Sequence, residues 1–449
     1  MKKLLLKNAN IFSQDRIIQG DLLTDGPFIE RLGGEIPVPA GAEVIDCHGM
    51  LALPGLIDEH VHFRDPGMPQ KATIRSESRA ALLGGTTSFM DMPNTNPPTT
   101  TCKALEDKLE VAARDSASNY AFYLGATEDN LEELKRADPS RYAAIKIYMG
   151  ATTGNLLLDD ESTLIKAFAA APTLVAVHCE WTPIIDENTR RARADYGDSI
   201  PFEVHPVIRN RDCCIRSTQM AIEIALGTGA RLHVLHVSTK EEVDMLRPYV
   251  FGNPRTRQIS GEAAIPHLMF SDADYQRLGG LLKCNPAVKT ERDRLAISRA
   301  VDEGVLTTVG TDHAPHELEA KTGDYMHCAS GCTSVQFALS SLIELASRGE
   351  ISLERAINAA TANVADRYRV KNRGRLMEGA FADIAIVDPS TPHTVARNGI
   401  ASPCGWSPFI GHTFPCTVVH TIVNGSVAVR NGRLAGEDLH GMALEFDRS

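Results

Sequence analysis

Although the chain of 449 residues carries ten cysteines, it has no CxxC pair. That excludes the usual zinc-knuckle spacing, and the adjacent Cys213-Cys214 and the Cys328/Cys332 pair read as reduced thiols rather than bridges. A dense lysine or arginine block is also missing. With 46 basic against 57 acidic side chains and a formal charge of −11, a nucleic-acid partner is disfavoured. No window approaches the roughly 20 apolar residues that a membrane span requires. In "MKKLLLKNANIF" the apolar run stops at Lys7-Asn8, too early for a secretion signal. Solenoid repeats and long low-complexity tracts are absent as well. What remains is 43% hydrophobic and 23% charged, the balance of a soluble chain able to bury a large core. The expectation is a cytoplasmic protein acting on a small molecule.

From residue 56 onward, short β-like runs alternate with helical patterns. The strand candidates are 56–62, 86–93, 119–126, 143–149, 173–180, 231–238, 257–263 and 306–313. Helical stretches such as "IRSESRAALLGG" and "RDRLAISRAVDEG" separate them. Eight such alternations predict a (β/α)8 barrel of the TIM type over residues 56–373. The two ends differ, reading as short strands and turns, with Asn424-Gly425 and Asn431-Gly432 as hairpin signals. They predict one small β-rich domain built jointly from residues 1–55 and 374–449.

Polar residues unusual for strands collect at the predicted strand C-terminal ends, where barrel enzymes build their sites. His60 and His62 are two apart and share one side of an extended strand, as metal ligation requires; a chance pair has the same spacing. Lys146 stands in the apolar strand "AAIKIYM". Burial would lower its pKa and leave an amine able to take up CO2 as a bridging carbamate; the alternative is a rim lysine in a salt bridge. His178 ends the fifth strand. On the sixth, His233 and His236 are three apart and so on opposite faces; His236 is the better ligand and His233 structural or external. Asp312, in "GTDHAPH", could bind metal and carry a proton. Together these residues predict a two-metal hydrolytic site. Two zinc ions set against a carbamate, Asp312 and a bridging hydroxide would leave one positive charge to polarise a carbonyl. Zinc suits such N/O ligands, and manganese or cobalt stay open.

At this point the sequence resembles the amidohydrolase superfamily and, within it, the dihydroorotases. The likeness spans essentially the whole chain through "PGLIDEHVHFRDPG", "MDMPNTNPPTT", "IKIYMGATTGN", "VHCE", "LHVLHVST", "KCNPAV", "GTDHAPHELEAK" and "CGWSPFIGHTFPCTVVHTIVNG". It implies reversible cyclisation of N-carbamoyl-L-aspartate to L-dihydroorotate in pyrimidine synthesis, and a homodimer. It also implies His60 and His62 on the more buried metal, His178 and His236 on the second, a carboxylated Lys146 bridging both, and Asp312 as ligand and proton shuttle. Arg64, Asn94, Asn285 and His316 match substrate-contacting positions. Some bacterial relatives bridge instead through an aspartate after strand four, where this chain has Asp159 and Asp160; the retained lysine favours Lys146. In "EAAIPHL" relatives often carry paired histidines, and His267 is left outside the site.

Arg64 bears on the substrate. A guanidinium keeps its charge and offers a planar fork that matches a carboxylate. If the strand stays extended beyond His62, Arg64 remains on the ligand face; a surface pair with Asp65 is the alternative. An allantoinase or hydantoinase, whose substrate lacks that carboxylate, would have little use for it. A non-catalytic scaffold homologue would be expected to lose ligand positions, all of which are filled here. The segment "ELEAKTGDYMHCASGCTS" after His316 is a candidate lid or pocket wall.

Overall fold

The computed structural model describes residues 3–150 and 156–448; residues 151–155 of the quoted "IKIYMGATTGN" motif, and the outermost residues of the terminal unit, lie outside them. All eight strand candidates form strands, each buried along its length. Leu56–Val61, Thr86–Asp91 and Asn119–Phe122 make one parallel sheet. Leu124–Gly125, Ile145–Tyr148, Val175–His178, Leu232–Val234, Ile259–Ala264 and Thr308–Gly310 make a second. Residues 119–125 thus serve both sheets in one pass. At the far edges Val61 bridges His313 in parallel, with His62 N donating to His313 O at 2.7 Å. Near-continuous apolar runs such as "VAVH" suit strands covered on both faces.

Helices alternate with these strands along the chain and start at sequence-encoded caps. Thr73, Thr239 and Thr290 each accept from the backbone three residues on, and Ser76, Glu242 and Asp293 reach back to close capping boxes. None of the described helices is long and apolar enough to cross a membrane.

Strands from both ends meet in a nine-stranded sheet. Lys3–Ser13 pairs with Arg16–Asp25, Glu43–Asp46 and Leu51–Pro54; the last pairs with Ile384–Asp388, followed by Thr417–Val423, Ser426–Arg430 and Arg433–Leu434. Asn424-Gly425 (φ +49°, +75°) and Asn431-Gly432 (φ +50°, +71°) take the left-handed conformations that tight hairpins demand. Not all of residues 374–449 stay on this sheet. Trp406 reaches across to donate from Nε1 to His316 O at 2.7 Å. Farther on, Leu444 N donates to Tyr120 O and Arg448 to Tyr142 O and Ala143 O, tying the tail beneath the strand that carries Lys146.

Asp91, at the end of its strand, receives Phe63 N at 2.7 Å and faces Lys108 Nζ at 2.6 Å; the second contact is an ion pair whose angle is poor for a hydrogen bond. Lys108 also donates to Met92 O at 3.1 Å. Both side chains are fully buried, and the pair fixes the backbone between His62 and Arg64. Removing one partner strands a buried charge. Lys108→Met is therefore expected to cost about 3–5 kcal/mol in urea unfolding, with much of it recovered in the Asp91→Asn/Lys108→Met double variant.

Candidate active site

The strands end around a cavity of ≈ 350 Å³. Its lining includes His60, His62, Arg64, Asn94, Lys146, His178, His236, Asn285, Asp312 and His316, so all the favoured ligand and substrate-contact candidates face one space. A larger hollow of ≈ 550 Å³ beside the terminal sheet is lined by residues such as Lys3, Pro27 and Arg430 and gathers no comparable donors.

Three of the four imidazoles are oriented by a ring nitrogen held by a neighbouring polar side chain, whereas His236 Nδ1 is buried without a partner among the described residues and only its backbone is held. His60 Nδ1 meets Glu262 Oε1 at 2.9 Å, and His62 Nδ1 meets Asn94 Oδ1 at 2.7 Å. Their Nε2 atoms both come within 3.2 Å of Asp312 Oδ1. His178 Nε2 meets Glu180 Oε2 at 2.9 Å, and Arg209 pairs with the same oxygen. His178 is thereby turned so that Nδ1 lies 2.9 Å from His236 Nε2. Glu262 Oε1 also accepts from His236 N, at 2.9 Å. Carboxylate or amide partners of this kind fix the tautomer and aim the opposite nitrogen.

The donor set fits a pair of divalent ions. Burial lowers the pKa of His62 to about 4 and lowers those of His178 and His236, keeping three imidazoles in the neutral form a metal needs. For His60, burial acts the same way but Glu262 and Asp312 outweigh it and raise the value. Burial would raise Asp312, yet His60 and His62 hold it well below the usual carboxylate range. Lys146, buried and with no hydrogen-bond acceptor among the described residues, lies with Nζ 4.5 Å from the centre of the Tyr148 ring. It lines the same cavity as both histidine pairs. Burial lowers its pKa to about 7 against the partial counteraction of Glu262 and Asp312. Asp159 and Asp160 stay exposed outside the cavity, and Asp160 caps the Glu161–Ala170 helix by accepting from Thr163 N.

Two expectations about direction change. The strand does not stay extended to Arg64: it ends at Val61, and Arg64 sits at φ +67°. The guanidinium nonetheless enters the cavity. Nε donates to Pro315 O at 3.1 Å and Nη2 lies 3.1 Å from His316 Nε2, while no pair with Asp65 forms. His316 Nε2 is also 3.1 Å from Ser330 O; one nitrogen cannot accept from Arg64 and donate to Ser330 at once, so a neutral ring makes one bond at a time. Burial, followed by the charge of Arg64, keeps that ring neutral. His233 takes the structural one of the two roles expected for it and does not line the cavity. It is fully buried, with Nδ1 2.6 Å from Ser260 Oγ and Nε2 3.2 Å from Thr308 Oγ1, and His236 departs from strand geometry at φ +36°.

The segment after His316 is a pocket wall. Lys321 Nζ donates to Lys283 O, Ala329 O and Gly331 O at 2.7–3.0 Å, clamping the Ala329–Gly331 edge that lines the cavity. His267 supports from behind, its Nε2 3.0 Å from Pro286 O. The orienting residues Glu262, Glu180 and Arg209 were not singled out from the sequence. Glu262 did leave a signal, a carboxylate inside the buried run "ISGEAA", of the same kind as the lysine in "IKIY".

Comparison with known proteins agrees with this geometry. The model of the amidohydrolase family matches residues 51–428. A dihydroorotase of Halobacterium salinarum is 32% identical over 414 residues, covering 90% of this chain and 92% of its own. An allantoinase of Bacillus velezensis is 31% identical, covering 95% and 94%. The solved L-hydantoinase (dihydropyrimidinase) of Arthrobacter aurescens superposes with a TM-score of 0.93 at 25% identity, over 99% of this chain and 100% of that one. The chain belongs to the amidohydrolase family and is a metal-dependent cyclic amidohydrolase of the dihydroorotase-like kind.

Proposed function

We propose that this enzyme is a dihydroorotase, interconverting N-carbamoyl-L-aspartate and L-dihydroorotate on a closed (β/α)8 barrel with a β unit built from both ends. The observation that carries the reading is Arg64: a buried guanidinium beside the histidine cluster, with Nη1 free of any partner among the described residues. A free edge of a planar cation in a cavity is a place for a carboxylate. Dihydroorotate has that carboxylate; neutral cyclic amides do not.

His60, His62, His178, His236, Asp312 and a carboxylated Lys146 would hold two divalent ions, zinc by their N/O chemistry. Such a pair, when bound, supplies Lewis-acid polarisation of an amide carbonyl and acidifies water. The chain's own groups do the rest. Asp312 Oδ2 has no hydrogen-bond partner among the described residues, so it is free to take a proton and return it to the departing ring nitrogen. Arg64 anchors the substrate carboxylate, and neutral His316 can donate to it or to the ring. The amide oxygen of Asn285 is buried without a partner and is available to a ring N–H. In the cyclising direction the same groups act in reverse.

A cyclic amidohydrolase for neutral rings is the second reading, favoured by the allantoinase relatives and the hydantoinase structures. A side-by-side assay of L-dihydroorotate, allantoin and hydantoin decides between them. Dihydroorotate is expected to give the highest kcat/KM; preference for either neutral ring refutes the proposal. Arg64→Lys should raise KM for carbamoyl aspartate at least about tenfold, because an ammonium cannot reproduce the fork.

Lys146 gives an independent check in metal-free protein. Its folded-state pKa of about 7 lies below the ordinary 10.5, so between those values the unfolded chain binds more protons and stability rises with pH. The cost of the buried amine is full below pH 7 and gone above 10.5. Metal-free Lys146→Met is expected to be more stable than wild type at pH 6, with the gap in urea midpoint narrowing as pH rises through that window. A gap independent of pH would count against a desolvated lysine.

A further inference from the structure

Arg64 is not the only cation facing the cavity. Lys71, half-buried and outside every ligand motif, lines the same space. The intervening loop coils back on itself: Met68 N donates to Arg64 O at 3.1 Å, and Lys71 N to Met68 O at 3.0 Å. It is also anchored. Asp65 Oδ2 accepts from Ile74 N at 3.2 Å, and Asn96 N donates to Pro66 O at 3.1 Å. Gly67 packs so closely that a Cβ there would fall 1.7 Å from Asn96 O. The position of Lys71 is therefore built into the fold.

Its charge is not balanced. No hydrogen bond or ion pair holds the Lys71 ammonium among the described residues; exposed Glu317 pulls on it only from a distance. The Arg64 guanidinium is close enough to disfavour the ammonium, second only to burial. Asp312 shares the recess but is engaged by His60 and His62, so two like charges facing one space favour an anion that joins them.

We infer that Lys71 is a substrate-contacting residue that closes, with Arg64, a two-cation clamp on the carboxylate of the ring substrate and so selects carboxylated over neutral cyclic amides. The inference rests on the dihydroorotase reading above and adds a determinant to it. The clamp touches no reacting atom. Its effect belongs in KM and in the choice of substrate, with kcat and metal content set elsewhere.

The test uses full-length, metal-replete Lys71→Met and Lys71→Arg proteins with two substrates that differ by one group, L-dihydroorotate and dihydrouracil. Lys71→Met is expected to raise KM for dihydroorotate by roughly tenfold or more, the worth of one charge-assisted contact, while dihydrouracil turnover changes far less. Lys71→Arg should recover most of the loss, and wild-type KM for dihydroorotate should climb with salt more steeply than that of Lys71→Met. An unchanged KM, or equal losses on both substrates, overturns the clamp. Calorimetric binding of orotate separates the two levels of the argument. If wild type binds orotate and Lys71→Met binds it equally well, the clamp alone fails. If wild type neither binds orotate nor turns over dihydroorotate, the dihydroorotase reading fails and takes the clamp with it.

Discussion

A single carboxylate oxygen holds the two halves of the site in register. Glu262 Oε1 accepts both from His60 Nδ1, on the first strand of the parallel set, and from His236 N, just beyond the sixth. Its second oxygen is buried without a partner. An acceptor stretched between two strands that do not neighbour each other sets the spacing of the imidazoles they carry. Around it the rings of His62 and His178 are held by Asn94 and by the Glu180–Arg209 pair, while His236 Nδ1 has no partner among the described residues. The cluster is thus aimed from behind, and its free nitrogens point where a cation would bring them together.

That aim is bought with backbone strain. Arg64, His236 and Asp312 all stand at positive φ (+67°, +36° and +48°), a region that L-residues visit at a cost of order 1–3 kcal/mol each. Three such residues around one cavity fit the idea that functional geometry is stored against the core's stability. The surroundings that hold them are strong ones: the buried Asp91–Lys108 pair under the first loop, and Asp58 receiving Thr311 N and Oγ1 under the last.

Most of the architecture was legible because periodicity reports burial. Each of the eight apolar runs became a strand, and the Asn-Gly pairs became tight turns. The polar residues at the strand ends converge because a parallel set brings those ends to one face. What the sequence hid depends on departures from ideal strands. Strict alternation placed His236 on the strand, yet the strand stops at Val234 and His236 lies beyond it at φ +36°, while His233 stays buried outside the cavity lining, as a structural histidine would. Arg64 reaches the cavity by a left-handed turn rather than by extension. Arg209 and Glu262 act across 26 to 202 residues of chain, which spacing alone cannot show, whereas Glu180 stands two residues from the His178 it orients.

Trp406 lies on the segment between the last strands of the terminal sheet, but its indole holds the carbonyl of His316 and its own carbonyl accepts from Thr333 Oγ1. A wall of the substrate pocket is therefore partly owned by a region that looks, in the sequence, like an accessory. A chimera that exchanged the C-terminal quarter of this chain for that of a relative would graft in a new rim to the binding site along with the new sheet. Divergence in that peripheral stretch is thus a route by which members of the family could shift substrate preference with every metal-facing residue left unchanged.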